Sequence, residues 1–248
     1  MPDKTAKNNN LTCLFSEKDH IYTVKETGQL LKSVTTVINQ YTPPFEAQKM
    51  AQRMVDKQKP AYTGMNTEQI IQKWKEKAAL SSKEGTLIHN YLEQWPVKRA
   101  ADFFPVTYRV FLMCQQVNKL FPKLMTRFHL VESEKFVFSP SLGVAGQIDL
   151  LMFDDETEEG IIIDWKSNSK ITDESGAFGT LQEPLEHLKN CDVVKYGLQL
   201  GLYEKILTDE EYYPEFKGYR KTLIHVQEKF GRVIKVSDYK EEIECLML

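Results

Sequence analysis

The chain has 248 residues, 42% apolar and 27% charged, and a net charge of −3. That is the balance of an ordinary globular protein with room for one large domain, or for a core with a helical insertion. It excludes binding of nucleic acid by bulk charge, so any such contact must concentrate positive charge locally. No apolar run approaches the ~18 residues that a membrane span needs, and the opening MPDKTAKNNN is polar, without an apolar signal region. The expectation is an intracellular, cytoplasmic protein with no membrane partner, in which residues 1–10 are a flexible tail and 11–248 form a single domain. The cysteines, Cys13, Cys114, Cys191 and Cys245, are far apart and form no CxxC pair, so they read as free thiols.

In chain order, residues 11–15 and 20–24 alternate around the turn-like Glu17-Lys18-Asp19 and predict a hairpin. Ser33 is placed to cap a short helix that runs to about Tyr41, where Pro43-Pro44 breaks it. From Phe45 to Trp95 the period is helical: Ile70, Ile71, Trp74 and Ala78 recur on one stripe, and Leu87, Ile88, Tyr91, Leu92 and Trp95 on another. Pro60 and Gly64 divide this stretch into at least two pieces. Residues 43–84 hold eight Lys/Arg against five Asp/Glu, which suits either a nucleic-acid-facing insertion or a solvated helical face. A further helix fits 105–121, with Val110, Phe111, Cys114, Val117 and Phe121 on one side. Then strand texture takes over, at 128–138, 143–153 and 160–166, with an acidic turn from Asp154 to Glu159. A helix at about 193–207 and strands near 219–227 and 231–236 complete the order. The fold class is α/β, a central mixed β-sheet flanked by helices, with an N-terminal helical region.

The segment with the most chemistry is Gly146-Gln-Ile-Asp149, eleven residues, then Ile161-Ile-Ile-Asp164-Trp-Lys166. Side chains alternate along a strand, so Asp164 and Lys166 share a face and Trp165 takes the other. Three isoleucines bury that strand, and a buried carboxylate and ammonium are costly unless they pair or meet a metal. Folding the acidic turn into a hairpin brings Asp149 towards Asp164. Two converging carboxylates suit a hard divalent cation, Mg2+ or Mn2+, which takes oxygen ligands. Such an ion acidifies water and stabilises charge on a phosphate, and Lys166 beside it neutralises developing negative charge. The backbone carbonyl of Trp165 is a further candidate ligand. The plain alternative is a structural salt bridge, since D-x-K is a common tripeptide.

Upstream lies Glu84-Gly-Thr-Leu-Ile-His89, in a helix for which Ser82 is a candidate cap. His89 sits one turn beyond Gly85, and a glycine there lets the helix come close to the sheet. His89 reads either as a metal ligand or as a core histidine. Downstream, Gln199 and Tyr203 form an i,i+4 pair with hydrogen-bonding heads.

Taken in order, G-T-x-x-H, G-x-I-D, hydrophobic-D-x-K and Q-x-x-x-Y over residues 84–203 resemble the RecB-like branch of the PD-(D/E)XK nuclease superfamily. Ser33-Val-Thr-Thr-Val37 and Pro184-Leu-Glu-His-Leu188 look like phage-encoded members of that branch. The resemblance implies a mixed sheet flanked by helices and one or two Mg2+ or Mn2+ ions. It implies Asp149, Asp164 and Lys166 as the catalytic set, with His89, Asp149 and Asp164 as metal ligands. Gln199 and Tyr203 would support the site and the DNA backbone. It also implies a glutamate on the preceding strand, for which Glu134 is the first candidate and Glu132 the second. Relatives with an iron–sulfur cluster use a tight group of three C-terminal cysteines. This chain lacks that group, so the resemblance is to cluster-free members, among them phage and mitochondrial single-strand exonucleases.

The implied function is a metal-dependent deoxyribonuclease, an exonuclease on single-stranded DNA ends in replication, recombination or repair, with proteins of those processes as partners. A structure-specific endonuclease, a double-strand exonuclease and a non-catalytic nucleic-acid-binding protein of the same fold are the alternatives. If the chain is phage-encoded, the compartment is the host cytoplasm; a mitochondrial location stays open. The helical stretch 43–84 would then arch over the site, with Lys73, Lys75 and Lys77 on phosphates and aromatics such as Tyr62 under bases. Trp74, by its period with Ile70, Ile71 and Ala78, reads as core.

Overall fold

Strand alternation and helical stripes divide the chain into nine strands and six helices among the described residues. The structure is a computed structural model that describes residues 4–16, 18–19, 21–98 and 107–246, with 96–98 described by backbone alone. Three parts of the expectations lie outside the described residues: residues 1–3 of the tail, Glu17 and His20 of the hairpin, and residues 105–106 at the start of the fourth helix.

Strands β1 (Lys4–Asn8), β2 (Leu11–Ser16), β3 (Ile21–Val24) and β4 (Leu30–Ser33) form an antiparallel meander. Helices α1 (Val34–Gln40), α2 (Ala47–Asp56), α3 (Thr67–Lys98) and α4 (Tyr108–Arg127) follow. Then come β5 (His129–Ser139), β6 (Val144–Asp154), β7 (Glu159–Lys166), α5 (Asp192–Asp209), β8 (Tyr219–Val226), β9 (Gly231–Ile234) and α6 (Lys240–Leu246). All nine strands join one mixed sheet, in which β4 runs parallel to β6 and β7 parallel to β8, the remaining pairs being antiparallel.

The topology forks at β6. A strand has two edges, and β5 occupies one of them from Val144 to Phe153. The other edge is shared: β4 pairs with Val144 and Ala145, and β7 with Leu150 through Asp154. Residues 146–149 lie between the two partners, and that stretch is the G-x-I-D motif.

The sheet separates two cores. On one face Ile162, Leu151 and Leu223 pack against α1, α5 and α6, through Val34, Val37, Leu198, Leu202, Ile206 and Ile243. On the other, Leu150, Met152, Ile161, Ile163 and Trp165 pack against the second half of α3 and against α4. The alternation along β7 sets Asp164 on the same face as Ile162, under α5, and Trp165 opposite, stacked on Phe121 at 5.8 Å between ring centroids. A third, smaller cluster joins Cys13, Phe15, Tyr22 and Leu31 of the meander to Phe136 and Phe138 of β5.

Three sequence expectations change. The residues expected as a flexible tail include β1: Ala6 is buried, Asn8 donates from its side chain to the Glu210 carbonyl at 2.9 Å, and Lys4 Nζ donates to Gln147 Oε1 at 3.2 Å. Ser82 caps nothing, because α3 runs unbroken through it and its carbonyl accepts from Thr86 Oγ1 at 3.1 Å. Helix α4 passes Pro122 and continues to Arg127. The hydrogen bond lost at proline is offset there by Phe121, Leu120 and Leu124, which pack against the core on either side of it. The hairpin strands β2 and β3 and the Ser33 cap, whose hydroxyl accepts from Thr36 N at 3.0 Å, agree with the sequence reading.

Deleting residues 1–8 removes the whole β1–β2 ladder. At about 1 kcal/mol net per hydrogen bond, the loss of stability is expected to be on the order of 2–4 kcal/mol, read as a lower urea midpoint. An unchanged midpoint would show that β1 is no part of the cooperative fold.

Candidate active site

The site is built where β7 leaves β6. Ile163 is the last residue of β7 in register with β6, opposite Leu150. Two residues further, the Trp165 N–H turns to the Asp149 carboxylate and donates to Oδ2 at 2.8 Å. The aspartate therefore fills the fork and closes it. On the other flank the β5–β6 register, Ser133 with Leu150 and Lys135 with Ile148, places Glu134 across from Asp149. Glu134 leaves the ordinary strand conformation, with φ of +54°. Three acids thus stand on adjacent strands, Glu134, Asp149 and Asp164, where like charges on facing positions destabilise a sheet.

The ionisation behaviour records this crowding. The Glu134 carboxyl is pushed up to about 8, by burial first and then by Asp149, Glu93 and Asp164, with Lys4 opposing. Asp164, only 3% exposed, is also raised, by burial and by Asp149, against the pull of Lys166. Burial disfavours the Lys166 ammonium, but Asp164 and Asp149 outweigh it and hold the group above the ordinary lysine range. Lys166 Nζ lies 2.8 Å from Asp164 Oδ2 and 3.0 Å from Oδ1. Only the Oδ1 contact has hydrogen-bond geometry, so Oδ2 is a buried oxygen without a hydrogen-bond donor among the described residues.

His89 comes from α3, its Nδ1 3.7 Å from Asp149 Oδ1. One ligand atom each from His89, Glu134 and Asp149 lie within 4.8 Å of one another. An imidazole nitrogen, two facing carboxylates and a third carboxylate with an oxygen that accepts no hydrogen bond among the described residues are donors of the kind that Mg2+ or Mn2+ takes. The residues present therefore fit a divalent cation. Glu134, rather than Glu132, joins this group, since Glu132 pairs with Lys135 at 2.8 Å on the exposed side. The Trp165 carbonyl remains a candidate ligand by position alone.

Helix α5 holds the acids from above. Gln199 Nε2 donates to Asp164 Oδ1 at 3.0 Å and lies 3.4 Å from the buried Tyr203 hydroxyl. Gly146 makes room for that tyrosine: a Cβ there would come within 2.8 Å of Tyr203 Cε1. Lys166 rests against the Tyr196 ring, 4.5 Å from its centroid, and Tyr196 in turn takes a hydrogen bond from Asn168 at 2.9 Å. Beside Lys166 and His89 opens a cleft of about 590 Å3, lined by Ser81, Ser82, Thr86, Ser167, Asn168 and Lys170. Hydroxyls, an amide and cations without a carboxylate make a surface for an anion.

Two residues went unnoticed in the sequence. Arg109 of α4 gives Nη1 to Glu84 Oε2 at 2.6 Å, Nε to Glu228 Oε1 at 2.8 Å and Nη2 to the Ser167 carbonyl at 3.0 Å. It ties the helix that carries His89 to the strand end that carries Lys166. Gly85 serves the same approach, with Ser167 Oγ 3.4 Å from where its Cβ would stand. Tyr196 is the other, and its i−3 spacing from Gln199 was the available signal.

The predicted lysines do not share one face of α3. Taking 100° per residue, Ala78, Ser82, Gly85 and His89 share one stripe of α3 and Lys75 lies near it, while Lys73 and Lys77 face away. Lys73 donates to the Ala61 carbonyl at 3.0 Å and lies over Tyr62, 5.4 Å from its centroid. Trp74 donates from Nε1 to the Tyr62 hydroxyl at 2.8 Å, so both rings are engaged in packing.

Two measurements on the metal-free protein follow. Glu134 has a folded-state value raised from 4.5 to about 8, so its contribution is full below 4.5 and is lost as pH rises through about 8. Glu134→Gln should therefore melt progressively higher than the parent as pH rises through that window; a constant difference would contradict the buried acid. Arg109→Gln leaves Glu84 buried without its cation and should cost about 1.5–3 kcal/mol. It should also weaken Mn2+ binding in calorimetry, because His89 loses its tie to the strands. Stability lost with metal affinity intact would reduce Arg109 to a structural role.

Comparison with curated protein sequences finds no match for this chain. A family model does match, across residues 47–244, about four-fifths of the chain and all of the site. The matched family is described as the PD-(D/E)XK nuclease superfamily. With the mixed sheet, the flanking helices and the acidic fork already in place, the chain belongs to the PD-(D/E)XK nuclease superfamily.

Proposed function

We propose that this protein is a Mg2+- or Mn2+-dependent deoxyribonuclease of the RecB-like branch, an exonuclease acting on single-stranded DNA ends in replication, recombination or repair. The observation that carries the reading is the acidic fork with its lysine, opening on a cleft lined for an anion.

Asp149, Asp164, Glu134 and His89 would hold the cation, which when bound supplies positive charge to a phosphodiester and acidifies water for attack. Every other part of the task falls to the chain. Lys166 keeps its proton and has three N–H donors, of which Asp164 engages part. The remainder faces the cleft, where it orients the attacking water or neutralises charge on the phosphate oxygen. Tyr196 holds the ammonium on one side. Gln199 fixes the rotamer of Asp164, and Tyr203 fixes Gln199.

The cysteines support a site without an iron–sulfur cluster. Cys13, Cys114 and Cys191 are buried in three different cores and Cys245 is exposed. Burial pushes the Cys13 and Cys114 thiols up to about 11 and about 12, which keeps them protonated and poor as ligands.

Helix α3 forms one wall of the cleft from Ala78 to His89, and α2 packs against α3, in keeping with an arch that admits a flexible strand by its end. Linear and circular single strands, with Mg2+, Mn2+ or EDTA, test this. Linear DNA should be degraded only with metal, and circles should resist; circles cut at the linear rate would favour the endonuclease alternative. Asp164→Ala and Lys166→Ala should each lower turnover at least about 10²–10³-fold. Lys166→Ala should keep metal binding. Parental activity in either pure variant would refute the assignment.

A further inference from the structure

Two phenylalanines stand 68% exposed, Phe45 and Phe178, both lining one groove of about 600 Å3. Large rings left in water at two positions of one groove mark a contact surface. Neither ring sits on a slack segment. Phe45 follows Pro43-Pro44 and leans on Trp74, 5.7 Å between centroids. Phe178 is presented by a laced loop, in which its N–H reaches the Asn190 carbonyl at 3.3 Å and Asn190 N reaches the Gly179 carbonyl at 3.1 Å. Leu181 N then bonds the Leu188 carbonyl at 3.0 Å, and Gln182 N reaches across to the Tyr41 carbonyl at 2.8 Å. Presented on backbone held this firmly, the two rings bind with little further loss of main-chain freedom.

The groove's charge is the reverse of the chain's. Lys49, Arg53 and Lys195 line it with a single acid, Glu46, which pairs with Lys49 at 2.7 Å. Arg53 and Lys195 form no ion pair among the described residues. Two elements lead from the groove to the candidate active site. Lys195 is the chain neighbour of Tyr196, which lines the cleft beside Lys166. Along α3, the stripe of His89, Gly85, Ser82 and Ala78 leads to Trp74, on which Phe45 lies, about 22 Å away at 1.5 Å per residue.

We propose that this groove is the binding track for the unpaired strand leading to or from the site, with bases stacked on Phe45 and Phe178 and phosphates on Arg53 and Lys195. The proposal rests on the nuclease reading and names the surface on which its strand binds. Only an unpaired strand offers base faces and phosphates together; a duplex keeps its base faces stacked. The track places the bases elsewhere than on Tyr62, which is engaged with Trp74 and Lys73.

The test uses the full chain with Phe45→Ala and Phe178→Ala combined, two exposed positions outside the metal and lysine set. Binding is read by fluorescence anisotropy in EDTA, with labelled oligo-dT and an abasic strand of equal length. The parent should prefer oligo-dT. The double variant should lose at least about tenfold in oligo-dT affinity and should no longer discriminate, while its melting temperature and its Mn2+-dependent hydrolysis of thymidine 5′-(p-nitrophenyl phosphate) are unchanged. Parental affinity for oligo-dT, or an equal loss for both strands, would overturn the stacking track. A variant that keeps oligo-dT but loses self-association in sedimentation would make the groove a protein contact and overturn it as well. If the parent binds oligo-dT with this preference but cleaves neither ester nor DNA with either metal, the nuclease reading fails and the groove stands.

Discussion

Repulsion among three acids on neighbouring strands, with Asp164 buried and Glu134 and Asp149 half-buried, organises this molecule. Glu134, Asp149 and Asp164 come from β5, β6 and β7; Asp149 raises the cost of ionising both of the others, and Asp164 raises that of Glu134. A fold keeps such an arrangement only when its surroundings over-determine it, and the surroundings here do so. The Trp165 amide, Lys166 and Gln199 each hold one acid in place. Two tightly packed cores, one on each face of the sheet, hold the strands that carry them. Destabilisation is thus confined to one point, and a divalent cation is the species that would relieve it.

The fork gives that point its access. Had β7 paired with β6 along its whole length, the Trp165 N–H would have had a backbone partner and Asp149 would have stood on a closed sheet. Because β4 takes one end of the edge and β7 the other, residues 146–149 are left for side chains. Gly146 admits Tyr203, and Asp149 takes the place of a missing ladder bond. The membership of the superfamily and this geometry agree without either depending on the other.

Much of this was legible in the sequence, for reasons that differ by residue. Asp164 and Lys166 were readable because a period of two next to three isoleucines leaves only one place for charge. Gln199 and Tyr203 were readable because a helix puts i and i+4 together. β1 was missed because its sequence, KTAKN, buries a single alanine, and an edge strand of that kind looks like a polar tail. Ser82 resembled a cap because capping is judged locally, whereas α3 is held by Ile70 at one end and Ile88 and Tyr91 at the other. Helix α6 shows only Ile243 and Leu246 as buried residues, too little pattern to find. Arg109 was out of reach, since its partners Glu84 and Glu228 are far away in both directions along the chain. The left-handed turn of Glu134 has no sequence signal at all. It is a local strain imposed by the strands around it.

The pairing of β4 with β6 has a consequence for how the protein is made. It consists of Lys32 opposite Val144 and Ser33 opposite Ala145, so its two halves are synthesised more than a hundred residues apart. The meander β1–β4 leaves the ribosome early, with Phe15, Tyr22 and Leu31 facing a core that Phe136 and Phe138 have yet to supply. At roughly 5–20 residues per second, that apolar face waits several seconds for its other half. The polar, lysine-bearing edge of β1 is well suited to that interval, since charged edge strands resist pairing with other chains. The segment that sequence alone reads as a loose tail thus also shields the outer edge of the nascent meander from other chains.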